Sequence, residues 1–467
     1  MDSLIVGGDS SAELNSTWIN IMSQRHHSSR AYNAEILTRK LVVYAADKPE
    51  FCKGVPESFK GSYSDLGSAG LSLLEDNLPM PVALLKTAAI SANRDWMHRF
   101  LDLSGLKIAP HGKTVMSPEI FQMQMEDGAW GITAATAQQV AFLAGVGIRR
   151  VILANQLVGT ENIRLILDIQ EAHPDLVFHC LIDSQEGVDA LAEAAKARGN
   201  ATINVLLEMG AWSGRTGIRT VNQALSLARH VRDQGPWLVL SGIECYEGIA
   251  PGTSHLEREE AVSDMMASMC DLTSRCDAEN LFSSDEILLT AGGSEYFDIV
   301  GEALSALKTR RPANVVIRSG CYIAHDSIAY ERAYHRLVER SKTAREVGHP
   351  LQAALEIWAA IQSRPESGLA FATLGKRDIS YDWDLPTPLK WLRPGVMSAP
   401  APLPAGHRVT KLNDQHAYLD IPPDSPLSVG DLVGFGISHV CTTFDKWRCL
   451  LLVDDNYRVT GAVRTFF

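Results

Sequence analysis

The chain has 467 residues, 46% hydrophobic and 21% charged, with 35 Gly and 21 Pro. This composition excludes a disordered or collagen-like protein and allows one large domain plus a smaller one. Forty-three basic against 55 acidic side chains give a net charge of -12, so nucleic acid and anionic membranes are poor partners and a small-molecule ligand is favoured.

Residues 1–80 are rich in Ser and Gly with weak periodicity and are expected to form a partly helical extension. No basic-then-apolar leader is visible in them, and no apolar stretch of the chain reaches about 18 residues. Eight scattered cysteines without a CxxC pair suit the reduced thiols of a soluble cytoplasmic protein.

Residues 81–345 are regular. Runs rich in Val, Ile and Leu fall at 106–110, 131–136, 151–156, 177–183, 203–210, 237–248, 286–293 and 314–320. Amphipathic stretches at 117–126, 137–146, 160–172, 185–198, 219–233, 256–274 and 296–308 separate them. Continuous apolar runs are strands buried on both faces, and parallel strands need helical crossovers. Eight such strands predict an α/β fold of the (β/α)8 TIM-like barrel type; an open doubly wound sheet is the alternative. Residues 346–467 change character. One helix is expected over 351–364, then short strands punctuated by Pro and Gly, which predict a C-terminal antiparallel β domain.

In such a barrel, chemistry belongs at the C-terminal strand ends. The first strand ends in Pro110-His111-Gly112-Lys113-Thr114. A desolvated Lys113 there is suited to a Schiff base with a carbonyl; the other reading is a surface loop lysine. The last two strands end in Gly292-Gly293-Ser294 and Gly320-Cys321-Tyr322. Turns of small residues at these two positions make a phosphate cradle, with Ser294 and Tyr322 as hydroxyl donors. A lysine and a phosphate cradle in one mouth point to pyridoxal phosphate. Arg215 and Tyr246, also at strand ends, are placed to meet the cofactor's phenolate oxygen and pyridine nitrogen, or else are structural.

Ser438-His439-Val440-Cys441 completes the set. On a strand, positions i and i+2 share a face, so His439 and Cys441 present an imidazole–thiolate pair suited to Zn2+. With 14 His and eight Cys in the chain, one such spacing is a weak signal, and a buried Cys beside a half-buried His is the plainer alternative.

The motif order PHGKT, GITAAT, ANQ, GRTG, YEG, AGGS, SGCY and SHVC over roughly residues 80–460 resembles the D-serine dehydratase/D-threonine aldolase family, the alanine racemase-like enzymes of pyridoxal phosphate fold type III. The resemblance implies that Lys113 carries the cofactor and that Arg215 and Tyr246 contact its ring. Gly292, Gly293, Ser294, Gly320, Cys321 and Tyr322 would form the phosphate cup, and His439 and Cys441 would hold the metal. Cys441, where aldolases of the family carry Asp with a harder ion such as Mn2+, implies the dehydratase branch and zinc. Water elimination from a D-3-hydroxy amino acid, D-serine first, is the expected activity. Retro-aldol cleavage and a non-catalytic pyridoxal phosphate-binding protein are the alternatives. A homodimer is expected from the resemblance. His416 is either near the site or structural, and the extension is longer than the resemblance explains.

Overall fold

In the computed structural model, which describes residues 48, 49 and 52–467, the eight apolar runs all become strands. Most of the extension predicted over 1–80 lies outside the described residues. In chain order, β1 (Val82–Lys86) leads into α1 (Thr87–Ser104) and the first barrel strand β2 (Lys107–Ile108). Then follow α2 (Pro118–Glu126), β3 (Ile132–Ala134), α3 (Ala137–Gly145), β4 (Arg150–Gln156), α4 (Thr160–Ala172), β5 (Val177–Ile182) and α5 (Gln185–Arg198). The barrel continues with β6 (Ile203–Met209), α6 (Val221–Asp233), β7 (Leu238–Cys245), α7 (His255–Ala278), β8 (Ile287–Ala291), α8 (Phe297–Ser305) and β9 (Ala313–Ile317).

The sheet order β2-β9-β8-β7-β6-β5-β4-β3 is parallel throughout. Its two ends meet: Trp130 N donates to Ile108 O at 2.7 Å and Thr133 N to Pro110 O at 2.9 Å. That closure decides for the barrel over the open sheet. Ala109, Ile152, Leu181, Leu206, Leu288 and Val316 fill one interior layer, and each fully buried aliphatic chain contributes roughly 1.5–3 kcal/mol. The helices start where the sequence supplies caps: Thr136, Ser184, Thr220 and Ser254 each accept a backbone N–H three residues on.

After α9 (Ala329–Arg340) and α10 (Lys342–Glu346) the chain enters a second sheet. Its strands are β10 (Leu355–Glu366), β11 (Leu369–Ala372), β12 (Thr387–Leu392), β13 (Ala401–Pro402), β14 (Arg408–Leu412), β15 (Ala417–Asp420), β16 (Leu432–Gly436), β17 (Cys449–Val453) and β18 (Val459–Arg464), with the short helix α11 (Val440–Phe444) between β16 and β17. Two expectations are corrected. The helix predicted over 351–364 is strand β10, because pairing with β1 on one side and β16 on the other overrides the helix preference of its Ala, Leu and Glu residues. The sheet is also neither wholly C-terminal nor wholly antiparallel: β1 lies inside it, antiparallel to β10 and parallel to β17. Residues assigned to the barrel from 81 onward therefore begin in the second sheet. Leu66, Leu71, Leu73 and Leu78 pack on its outer face against Val82, Leu84 and Trp358. Among the described residues no helix is long and apolar enough to cross a membrane.

Candidate active site at the barrel mouth

The C-terminal ends of β2, β6, β7, β8 and β9 surround one mouth, and α11 packs against the 3-10 turn Gly112–Thr114 that follows β2. Lys113 stands on that turn with an exposed side chain. The protein alone therefore does not desolvate it, contrary to the expectation. Beside it, His111 Nδ1 is buried without a hydrogen-bond partner. Burial, reinforced by the charges of Lys113 and Arg318, holds this imidazole well below its ordinary pKa and hence neutral.

The phosphate cradle differs in detail from the sequence expectation. The N–H groups of Gly292 and Gly293 donate to the two carboxylate oxygens of buried Glu247, at 3.0 and 2.5 Å. Tyr322 is buried with its hydroxyl among Gln124, Asp127 and Arg94. The glycine pair thus offers no free donor to the mouth. The backbone N–H groups of Ser294, Gly320 and Cys321 have no acceptor among the described residues, and Ser294 adds a hydroxyl. A Cβ on Gly320 would stand 2.7 Å from His111 O and from Thr114 Oγ1, so only glycine lets these strand ends approach. A lysine turn packed against Gly320, beside three open N–H groups, fits a phosphorylated carbonyl cofactor of the pyridoxal phosphate kind.

Arg215 lies on the loop after β6 with its guanidinium 4.8 Å from the centre of the Tyr246 ring. Buried Glu208 anchors this loop by accepting from the Thr216 hydroxyl at 2.8 Å, and Asp183 accepts from Gly217 N at 3.0 Å. Burial pushes the Tyr246 phenol up to about 12, so it stays neutral. Beneath the mouth, Arg318 pairs with Glu244 and donates to Thr290 Oγ1 at 3.0 Å and to Cys245 O at 3.0 Å. Burial raises Glu244 to about 8 against the pull of Arg318.

His439 and Cys441 are not on a strand. His439 stands at the N-cap of α11 and Cys441 is its second residue, so the alternation of a strand does not set their directions. His439 Nδ1 lies 2.5 Å from Asp382 Oδ2, and Trp383 stacks on the ring with centroids 3.9 Å apart. Cys441 Sγ lies 3.5 Å from Thr114 Oγ1 and 3.7 Å from Cys321 Sγ. The bond to Cys321, aided by Thr114 and Lys113, pulls the Cys441 thiol below its ordinary value, while Cys321 is raised by the same bond and by burial.

The donor chemistry fits a zinc-class ion. A histidine with one ring nitrogen tied to a carboxylate is the usual arrangement of a metal ligand, and a thiol is a soft donor of the kind zinc takes. Among the described residues no three His, Cys, Asp or Glu side chains converge on one point. The structure thus gathers Lys113, Arg215, Tyr246, Ser294, Gly320, Cys321 and Cys441 around the mouth, with His439 on the cap of α11. His416 sits exposed in the turn between β14 and β15 and joins none of these contacts. Sequence reasoning missed Glu247, although it stands inside the YEG motif. It also missed Asp382 and Trp383, which lie more than 50 positions from His439 and carry no local signature.

Residues 354–453 match the family described as "Putative serine dehydratase domain". A D-threonine aldolase from an Arthrobacter species is 24% identical over 378 residues, covering 80% of this chain and 89% of that protein. Among solved structures, D-threonine aldolase from Filomicrobium marinum superposes with a TM-score of 0.68 at 20% identity, covering 85% of this chain and 97% of that one. D-threo-3-hydroxyaspartate dehydratase from Delftia sp. HT23 superposes with a TM-score of 0.65 at 18% identity, covering 85% and 99%. The resemblance read from the motifs is borne out: the chain carries a serine dehydratase-type domain over residues 354–453, on an alanine racemase-like barrel fold.

Proposed function

We propose that this protein is a pyridoxal phosphate-dependent lyase that eliminates water from a D-3-hydroxy amino acid, D-serine first, releasing a 2-oxo acid and ammonia. A zinc-class ion held by His439 and Cys441 belongs to the same reading. One observation carries it: the lysine turn of the barrel and the thiol of the second domain share a mouth, with Cys441 3.5 Å from the Thr114 hydroxyl next to Lys113. The free thiols throughout the chain suit a cytoplasmic protein, and a homodimer remains part of the proposal.

Pyridoxal phosphate bound at Lys113 supplies a conjugated ring that takes up the charge left when a proton leaves the carbon beside an amine. The chain's own residues do the rest. Lys113 Nζ is the base at that carbon, and the open N–H groups of Ser294, Gly320 and Cys321 seat the phosphate. Neutral Tyr246 and the Arg215 guanidinium bound the ring's place, and neutral His111 lies beside the lysine. The metal residues would hold an ion that gives Lewis-acid help to hydroxide, a poor leaving group.

Two of the relatives are D-threonine aldolases, and this favours retro-aldol cleavage as the second reading. The soft thiol of Cys441 and the likeness to a hydroxyaspartate dehydratase support elimination. The deciding experiment incubates the zinc-loaded holoprotein with D-serine, D-threonine and D-threo-3-hydroxyaspartate, and measures 2-oxo acid, glycine and aldehyde. Keto acid from at least one substrate is expected. Glycine and acetaldehyde from D-threonine, with no keto acid from any substrate, would establish the aldolase instead, and no product at all a binding protein.

A further inference from the structure

We propose that Cys321 and Cys441 together form a two-thiolate site for one divalent metal ion of zinc's softness, at the seam between the barrel and the second sheet. The proposal rests on the reading of Cys441 as a metal ligand and extends it to Cys321, which that reading assigns only to the phosphate cup.

Zinc–sulfur bonds are about 2.3 Å, so two thiolates at the tetrahedral angle on one ion stand roughly 3.8 Å apart. Cys321 Sγ and Cys441 Sγ are 3.7 Å apart, and neither sulfur has to move to share an ion. The two residues are 120 positions apart and come from different sheets, each on a fixed element. Cys321 opens the 3-10 turn Cys321–Ile323, where its carbonyl accepts from His325 N at 2.8 Å. Cys441 lies in the first turn of α11, seated on the lysine turn.

Cys321 belongs to the main hydrophobic cluster and Cys441 packs against it, with a hydroxyl beside the pair. The Thr114 hydroxyl is 3.5 Å from Cys441 Sγ. With His439 as the other donor of the same reading, an ion held by the two sulfurs keeps a fourth position open. An open position is what separates a catalytic zinc from a structural one.

The test is zinc-edge X-ray absorption on the reduced, zinc-loaded holoprotein, counting sulfur neighbours of the metal. Two sulfurs at about 2.3 Å are expected in the wild type and one in either Cys321→Ser or Cys441→Ser. Circular dichroism shows that each variant is folded, with Cys321→Ala as a second variant at that position. One sulfur in the wild type, unchanged by Cys321→Ser and lost in Cys441→Ser, overturns the proposal while leaving the metal role of Cys441 standing. A protein that retains no zinc after reduction overturns both. A Cys321–Cys441 disulfide that persists under thiol reductant also overturns the proposal.

Discussion

His439 turns Nδ1 towards Asp382, 2.5 Å from Oδ2, while the second oxygen of the same carboxylate accepts from the Thr442 hydroxyl at 2.8 Å. Asp382 is therefore fixed at both ends, and the imidazole is fixed by it, with Trp383 stacked against one ring face. In that arrangement Nε2 is the nitrogen left to bind an ion. Asp382→Ala should weaken zinc binding by roughly 10–100-fold without unfolding the protein. Competition against a chromophoric chelator reads this directly. Unchanged affinity would remove His439 from the metal site.

Lys113 is the lysine that the whole reading turns on. Lys113→Ala should lose the visible absorbance of covalently held cofactor while keeping the wild-type circular dichroism spectrum. A variant with the same absorbance would mean that another lysine carries the cofactor.

Glu247 ties β7 to β8 by accepting from Gly292 N and Gly293 N. Removing its carboxylate leaves two buried donors unpaired, each at a cost of roughly 1–3 kcal/mol. Glu247→Ala should therefore lower the unfolding free energy by roughly 2–5 kcal/mol, and Glu247→Gln by less. Urea denaturation of the two variants measures the difference. Because the glycine turn leads into Ser294, cofactor affinity should fall along with stability.

His179 on β5 is buried with Nδ1 unpartnered, and desolvation lowers its pKa from 6.5 to about 4. The unfolded chain then binds a proton that the folded one refuses, so this contribution is complete above pH 6.5 and is lost as pH falls towards 4. The integrated effect is about 3 kcal/mol. Stability curves of the wild type and His179→Gln should converge by that amount over this window. Parallel curves would show that His179 is protonated in the fold.

The barrel was legible because each of its strands is buried on both faces, which writes the strand into the sequence as an uninterrupted apolar run such as 203–209. Its helices were legible from their apolar spacing and from caps such as Ser254, which accepts from Glu257 N. β10 was not legible. Its residues favour a helix in isolation, and only two flanking strands, one of them 270 positions earlier in the chain, make it extended. The strand end bearing Lys113 and the short turns bearing Ser294 and Gly320 could be read, because a turn of small residues is a local pattern. The direction of a hydrogen bond is not local, so Glu247's claim on Gly292 and Gly293 was invisible.

The cysteines divide along the same line. Composition and spacing determined on their own that eight thiols stand unpaired in an acidic barrel protein, and that Cys441 follows a histidine at a metal-like interval. Tertiary structure alone decided which donor faces that thiol. α11 turns His439 towards Asp382 and Cys441 towards the barrel, and barrel closure brings the end of β9 to meet it. The thiol nearest Cys441 is therefore Cys321, a contact made by two sheets packing together rather than by any pattern along the chain.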